Sequence, residues 1–306
     1  MPDLSIADAL DGQRIAITGG TGFLGTALIE RLLRRAPGCE LVLLIRPSQR
    51  RTVHQRARRE IFKNDAFDRL RADLDGTDEP FDDMIARRVT VIAGDVGTDG
   101  LGLDDDGRRV LADCDTVVHS AATVSFDSPL DSAVEVNLLG PSRIASTLQE
   151  ICDDPAALPH LVSVSTCYVA GNRKGSAPEE PVDQSPFWFG IDWRREVTAA
   201  RRTRTDAEAE SRTPDMLARF RKSARKELGA AGTPALAAKT EQIRAAWVSE
   251  QLVEAGRARA ASLGWPDAYA YTKALGEKAL FEHARSGPAP LPFSIVRPAI
   301  IESSLA

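Results

Sequence analysis

The chain has 306 residues, 43% of them hydrophobic, and a formal net charge of -5. That length can bury a substantial core, in one large domain or one domain with a sizeable appendage. Mild acidity argues against nucleic acid as the main ligand. The opening MPDLSIADALDG has no basic region followed by an apolar stretch, and no uncharged run reaches membrane-spanning length, so a cytoplasmic protein without a transmembrane segment is expected.

The first pattern in chain order is RIAITG, which reads as a strand, followed by FLGTALIERLLRR, which reads as an amphipathic helix beginning inside the glycines. Gly19, Gly22 and Gly25 stand at fixed spacing, with Gly20 as an extra. Strand, tight turn and helix N-terminus together make a cradle of backbone N–H groups for dinucleotide phosphates.

The next run, CELVLLIR, ends in Arg46, with Arg50 and Arg51 just beyond. An NAD site would place an acid here for the ribose hydroxyls, but Glu40 falls at the strand's beginning, where it would miss them. An arginine at the exit instead pairs with the extra phosphate of NADP. Residues 50 to 88 carry many arginines and aspartates around the isolated apolar anchors Ile61, Phe62, Phe67, Leu70 and Met84. One or two surface helices are expected there, with DLDGTDEP as a turn.

VTVIAGDV, DTVVHSAA, HLVSVST and PFSIVRP are further strands. Asp95 in AGDV is placed to accept from an adenine amine, and serves equally well as a helix cap. Ala121 and Ala122 in HSAA are small enough for close backbone approach to a bound cofactor. AVEVNLLGPSRIASTLQEIC reads as a crossover helix whose interior Asn137 needs a partner, giving a structural or proton-relay hydrogen bond. Thr166 ends HLVSVST as the natural hydroxyl at the strand's C-terminal edge, with Ser165 as competitor. Strands alternating with helices give a doubly wound, parallel α/β sheet.

The proline-rich SAPEEPVDQSPFWFG is a loop whose Phe187, Trp188 and Phe189 anchor the segment after it or line an apolar pocket. Residues 191 to 262 are dominated by Ala, Arg and Glu and read as a helical insert, two or three helices laid against the sheet or its ligand cleft, with a mobile turn around AGTP. In AYAYTKALGEKAL, Tyr269 and Lys273 fall on one helix face, where the ammonium favours the phenolate. Tyr271 breaks that spacing, since the fourth residue after it is Leu275. Cys39, Cys114 and Cys167 adjoin apolar runs and are expected reduced and buried; with Cys152 they make no metal-like spacing. The four histidines are scattered, so no metal site is expected, and no Gly-x-Ser-x-Gly elbow marks a serine hydrolase.

Taken together, TGGTGFLG, Arg46 after the second strand, GDV, HSAATVSFD, VEVNLLG, VSVSTCYVAG, Tyr269-x-x-x-Lys273 and IVRPAI resemble the extended short-chain dehydrogenase/reductases. Within them, HSAATVSFD and STCYVAG resemble the fatty acyl-CoA reductases, and the resemblance runs from about residue 12 to the end. It implies one NAD(P)-binding reductase domain over 12–306, with most of the family's C-terminal, acyl-channel part lying beyond this sequence. It implies a catalytic set of Thr166, Tyr269 and Lys273, supported by Asn137. It also implies NADPH held at Gly19, Thr21, Gly22, Phe23, Leu24 and Gly25, with Arg46 at the 2′-phosphate and Asp95 and Val96 near the adenine. Ala121, Ala122, Tyr269 and Lys273 complete the cofactor contacts. The substrate implied is a long-chain acyl-CoA, with peripheral membrane contact open. Three other readings share these residues: a nucleotide-sugar epimerase or dehydratase, a thioester reductase for carrier-bound acyl groups, and a dinucleotide-sensing binding protein. Arg46 and the insert disfavour the first, and the retained Tyr269 and Lys273 disfavour the last.

Overall fold

Six short apolar runs form one all-parallel sheet in the computed structural model, which describes residues 5–185, 188, 190–229, 232–286 and 289–301. In chain order the elements are β1 (Arg14–Thr18), α1 (Phe23–Arg35), β2 (Glu40–Ile45), α2 (Asp68–Leu74), α3 (Phe81–Arg88), β3 (Val89–Ala93), α4 (Asp105–Ala112) and β4 (Thr116–His119). A turn of helix at Leu130–Ala133 and a π-helical stretch at Val134–Leu138 then lead into α5 (Leu139–Ile151), followed by β5 (His160–Val164). The insert supplies α6 (Trp193–Ser211), α7 (Pro214–Leu228) and α8 (Thr233–Ser262), before α9 (Ala268–Ser286) and β6 (Phe293–Val296). The strand order β3-β2-β1-β4-β5-β6 is that of a doubly wound dinucleotide-binding sheet. Its register sets Ile17 beside Leu43 on one side and Val118 on the other.

The described residues fall into two compact units. The first lies within Met1–Ala122, Leu139–Cys167 and Gly276–Ala306 and holds the sheet; the second lies within Thr123–Leu138 and Tyr168–Leu275. In the first unit, Ile15 and Ile17 of β1, Ile29 and Leu33 of α1, and Leu41 and Leu43 of β2 form the main core. Residues 50–88 correct the expectation of surface helices on isolated anchors. Ile61, Phe62, Phe67, Leu70 and Met84 are all buried in that same core. Phe67 stacks edge-on between Phe62 at 5.6 Å and Phe81 at 6.0 Å. A π-helical turn (Ala57–Phe62) and a 3-10 turn (Asp65–Phe67) turn these residues inward, a pattern that no regular period betrays. Arg88, 4% exposed, was not foreseen either: its guanidinium donates to the carbonyls of Leu33 (2.7 Å), Ala36 (2.6 Å) and Cys39 (3.0 Å). It thereby satisfies orphan acceptors at and beyond the C-terminus of α1.

In the second unit, Arg244 of α8 is buried and donates to Glu208 (2.6 Å) and Ser211 (2.8 Å) of α6. The Trp265 indole donates to the Val169 carbonyl at 3.0 Å, and Trp188 packs against Trp265. Trp188 thus acts as an anchor, whereas Phe187, Phe189 and Ala231 of AGTP lie outside the described residues. Cys39 and Cys114 are buried, and burial pushes both thiols up, Cys114 to about 12. Cys152 is half-buried. Cys167 contradicts its expected burial: it is exposed, because the strand has ended and Cys167 opens a 3-10 turn (Cys167–Ala170). Among the described residues no helix is long and apolar enough to cross a membrane.

Candidate functional site

Strand order reverses at β1, which pairs with β2 on one side and β4 on the other. The crevice at the carboxyl ends of such strands is where open α/β sheets bind ligands. Thr18 and His119 end the two strands in register and share a hydrogen bond, Oγ1 to Nδ1, at 2.8 Å. Immediately after Thr18 the backbone of Gly19 turns to φ +78°, and a Cβ there would lie 2.5 Å from the Ala121 nitrogen. A Cβ on Gly25 would lie 2.2 Å from the Gly19 carbonyl oxygen. Thr26 Oγ1 donates to the Gly20 carbonyl at 3.0 Å and closes the turn. Gly22 caps α1 with no side-chain acceptor, so the first-turn N–H groups at Phe23, Leu24 and Gly25 have no capping oxygen. Thr21 and Phe23 are exposed beside them. A cradle that side chains would fill, and that no carboxylate or hydroxyl caps, fits the diphosphate of a dinucleotide.

Arg46 follows β2 directly and is exposed. Its carbonyl accepts from Arg56, which Glu60 grips at 3.0 and 2.7 Å, so the turn after β2 is held. Glu40 opens β2 at the far end, 3.8 Å from Arg14. After β3, Asp95 Oδ1 accepts from the Gly97 N–H at 2.8 Å and the Asp95 N–H donates to the Leu101 carbonyl at 2.7 Å. Asp95 therefore closes a local turn. Val96 beside it is buried, its Cβ 3.7 Å from where a Cβ on Gly140 would lie. Ala121 and Ala122 follow β4, and the Ala121 N–H donates to Thr18 Oγ1 at 3.3 Å. Thr166, 4% exposed, stands two residues past β5, next to the equally buried Ser165, whose N–H donates to the Val296 carbonyl at 2.7 Å.

The second unit holds Tyr269, Lys273 and Asn137. Tyr269 and Lys273 lie one turn apart on α9. Tyr269 is half-buried, with its ring edge-on to Phe126 at 6.3 Å, and Lys273 is buried. Tyr271 is buried and donates its phenol proton to Glu196 Oε2 at 2.5 Å. Arg259 grips the same carboxylate at 2.8 and 2.5 Å. Burial first, and then the Glu196 carboxylate, push the Tyr271 phenol far above its ordinary range. Tyr271 is thus committed to a structural bond.

Asn137 sits in the π-helical stretch, where irregular helix often serves a site. Its Oδ1 accepts from the Thr123 N–H at 2.8 Å, and its Nδ2 donates to the Thr123 carbonyl at 2.9 Å and to Thr272 Oγ1 at 3.3 Å. One buried amide therefore ties the loop after HSAA to the first turn of α9. Sequence reasoning missed Thr18 with His119, Thr123, Thr272, and the Glu196–Arg259 pair. A clue existed for Glu196 alone: it lies among Trp193, Val197 and Ala200, the buried positions of α6.

Residues 17–305 match the NAD-binding family model described as Male sterility protein. The chain is 30% identical to "Fatty acyl-CoA reductase 8" of Arabidopsis thaliana, over 99% of the chain and 54% of that protein. It is 29% identical to the "Alcohol-forming fatty acyl-CoA reductase" of Simmondsia chinensis, over 98% of the chain and 54% of that protein. It thus spans about half the length of the curated relatives it matches. The crystal structure of the terminal R domain from the myxalamid PKS-NRPS pathway shares the fold, with a TM-score of 0.51 at 20% identity, over 94% of this chain and 49% of that one.

Proposed function

The chain belongs to the Male sterility protein family of NAD(P)-binding, fatty acyl-CoA reductase-like proteins, and from that premise we propose that it takes part in NADPH-dependent reduction of a long-chain fatty acyl-CoA to the aldehyde and on to the alcohol. The observation that carries this reading is the division of labour on α9. Tyr269 keeps the four-residue spacing to Lys273, while its rival Tyr271 is bonded to Glu196.

The backbone at Gly19, Thr21, Gly22, Phe23, Leu24 and Gly25 would hold the diphosphate, Arg46 the 2′-phosphate, and Asp95 with Val96 the adenine. Ala121 and Ala122 would allow close backbone approach. The nicotinamide, when bound, supplies hydride. Tyr269 donates a proton to the oxygen on which charge develops, and the Lys273 ammonium favours the phenolate that remains. Thr166 is the hydroxyl of the proposed catalytic set, and hydrogen-bond donors matter most where charge appears in the transition state. Asn137 acts by position, fixing Thr123 and the start of α9. The resulting hemithioacetal breaks its C–S bond, coenzyme A leaves as the thiol, and the aldehyde remains. The same residues protonate the aldehyde oxygen in the second reduction. The helices of residues 193–262 supply the acyl-binding side, and acyl-CoA-dependent protection there against hydrogen exchange tests that assignment.

The deciding experiment offers one fatty acyl group as its CoA thioester and on a carrier protein, and follows NADPH oxidation with product identification. Turnover of the CoA thioester supports the reading. Turnover of the carrier-bound group alone replaces it with a carrier-linked thioester reductase.

A further inference from the structure

Cations in the second unit are generally matched. On α6, Arg195 pairs with Asp192 (3.5 Å), Arg201 with Glu135 (2.8 Å), Arg202 with Asp206 (3.5 Å) and Arg204 with Asp131 (3.5 Å), while Arg194 lies over the Trp193 ring. On α8, Lys239, Arg244, Arg257 and Arg259 each have a carboxylate. Helix α7 between them departs from this pattern. Arg219, Arg221, Lys222, Arg225 and Lys226 are all exposed, and among the described residues none forms an ion pair with a carboxylate. At 100° per residue these five span an arc of about 160° on the helix, shared with Pro214, Ala218 and a single acid, Asp215 in the first turn. Met216, Phe220 and Ala224 form the buried face, with Phe220 packed on Trp247 of α8 at 6.0 Å.

Apolar surface borders the basic arc on one side. Leu217 and Leu228 are 39% and 36% exposed, about three turns and about 16 Å apart on one edge. On the other edge a recess of about 420 Å³ opens between α7 and α8; Met216, Phe220, Ile243 and Trp247 line it, but so do Glu227, Gln242 and Glu250, so it is of mixed polarity.

We propose that α7 docks this protein onto the surface of an anionic phospholipid bilayer. Unpaired lysines and arginines gain attraction at such a surface without first breaking an ion pair, and flanking aliphatic groups enter the acyl boundary. A nucleic acid or an acidic protein would use the cations. The exposed Leu217 and Leu228 beside the cations favour hydrocarbon.

The test is co-sedimentation of the chain with vesicles of phosphatidylcholine alone and of phosphatidylcholine containing about a third phosphatidylserine. Binding is expected to the anionic vesicles only, released by salt. The variant Arg221→Glu/Lys222→Glu/Arg225→Glu should lower partitioning by at least about tenfold. A control of equal charge change on paired arginines, Arg195→Glu/Arg202→Glu/Arg212→Glu (Arg212 lies 3.8 Å from Glu208), should retain most of it. Leu217→Ser/Leu228→Ser, which leaves charge unaltered, should weaken it several-fold. All these positions are exposed, and circular dichroism verifies the folds. Failure of the wild type to bind anionic vesicles, or equal loss in the control, would overturn the proposal. So would unchanged binding by the leucine variant, which would leave α7 a general polyanion surface.

Discussion

Tyr269 and Tyr271 stand on the same helix and differ in what holds the phenol. Tyr271→Phe deletes a hydrogen bond to a buried carboxylate and should cost about 2 kcal/mol of stability while NADPH-dependent turnover survives. Tyr269→Phe should do the reverse, lowering kcat by orders of magnitude with an unchanged melting temperature and intact NADPH binding. Burial opposes the charge on Glu196, but the hydrogen bonds from Arg259 and Tyr271 prevail and hold its carboxyl below the ordinary 4.5. A depressed carboxylate stabilises the fold above that value and loses the contribution as pH falls through its own titration. The stability gap between wild type and Glu196→Gln should therefore shrink below pH 4.5, as read from melting curves. Exposed Cys167 directly follows Thr166, so its role is decided by chemistry rather than by burial. Direct hydride transfer needs no acyl-enzyme, and Cys167→Ala should keep substantial turnover; a trapped acyl-Cys167 that releases product at a competent rate would refute that. Spacing to Lys273 was enough to separate the two tyrosines in the sequence. For Glu196 the only local sign was its place among the apolar positions Trp193, Val197 and Ala200 of α6; its partner Tyr271, 75 residues on, could not be read from it.

Between β1 and α1, the glycine turn closes because Gly19 and Gly25 leave no room for a Cβ. Gly25→Ala would drive a methyl group to 2.2 Å from the Gly19 carbonyl oxygen, at the point where α1 meets the end of β1. The backbone must shift, at about 1–3 kcal/mol, and the N–H cradle shifts with it. Calorimetric titration should show NADPH binding weakened at least about tenfold, more than the stability change alone explains. All six strands were legible: β1 and β2, buried on both faces, read as continuous apolar runs, and the other four, less fully buried, are still short runs rich in branched residues. Segment 50–88 was not. Its anchors reach the core through a π-helical turn, a 3-10 turn and two short helices, whose mixed periods hide the common face. The π-helical stretch around Asn137 was equally invisible, although the need of a buried amide for partners was plain from the sequence.

Across the sheet, strand order places the glycine turn and the HSAA loop together at the switch point, and β2 ends in an arginine where NAD enzymes carry an acid. Arg46→Ala should therefore cost about tenfold in NADPH affinity and leave NADH affinity nearly unchanged, as measured by fluorescence titration of both. Equal losses for the two would remove Arg46 from phosphate recognition. Reduction of a thioester, on which the assigned roles of the whole chain depend, is best tested by stoichiometry. NADPH oxidation and free thiol release are followed together with a long-chain acyl-CoA, in wild type and in Tyr269→Phe. Thiol should appear only as NADPH is consumed, one thiol for each NADPH if the aldehyde is released and one for every two if the alcohol is formed, with both signals collapsing in Tyr269→Phe. Thiol release without NADPH oxidation, or NADPH oxidation without thiol release, would contradict thioester reduction.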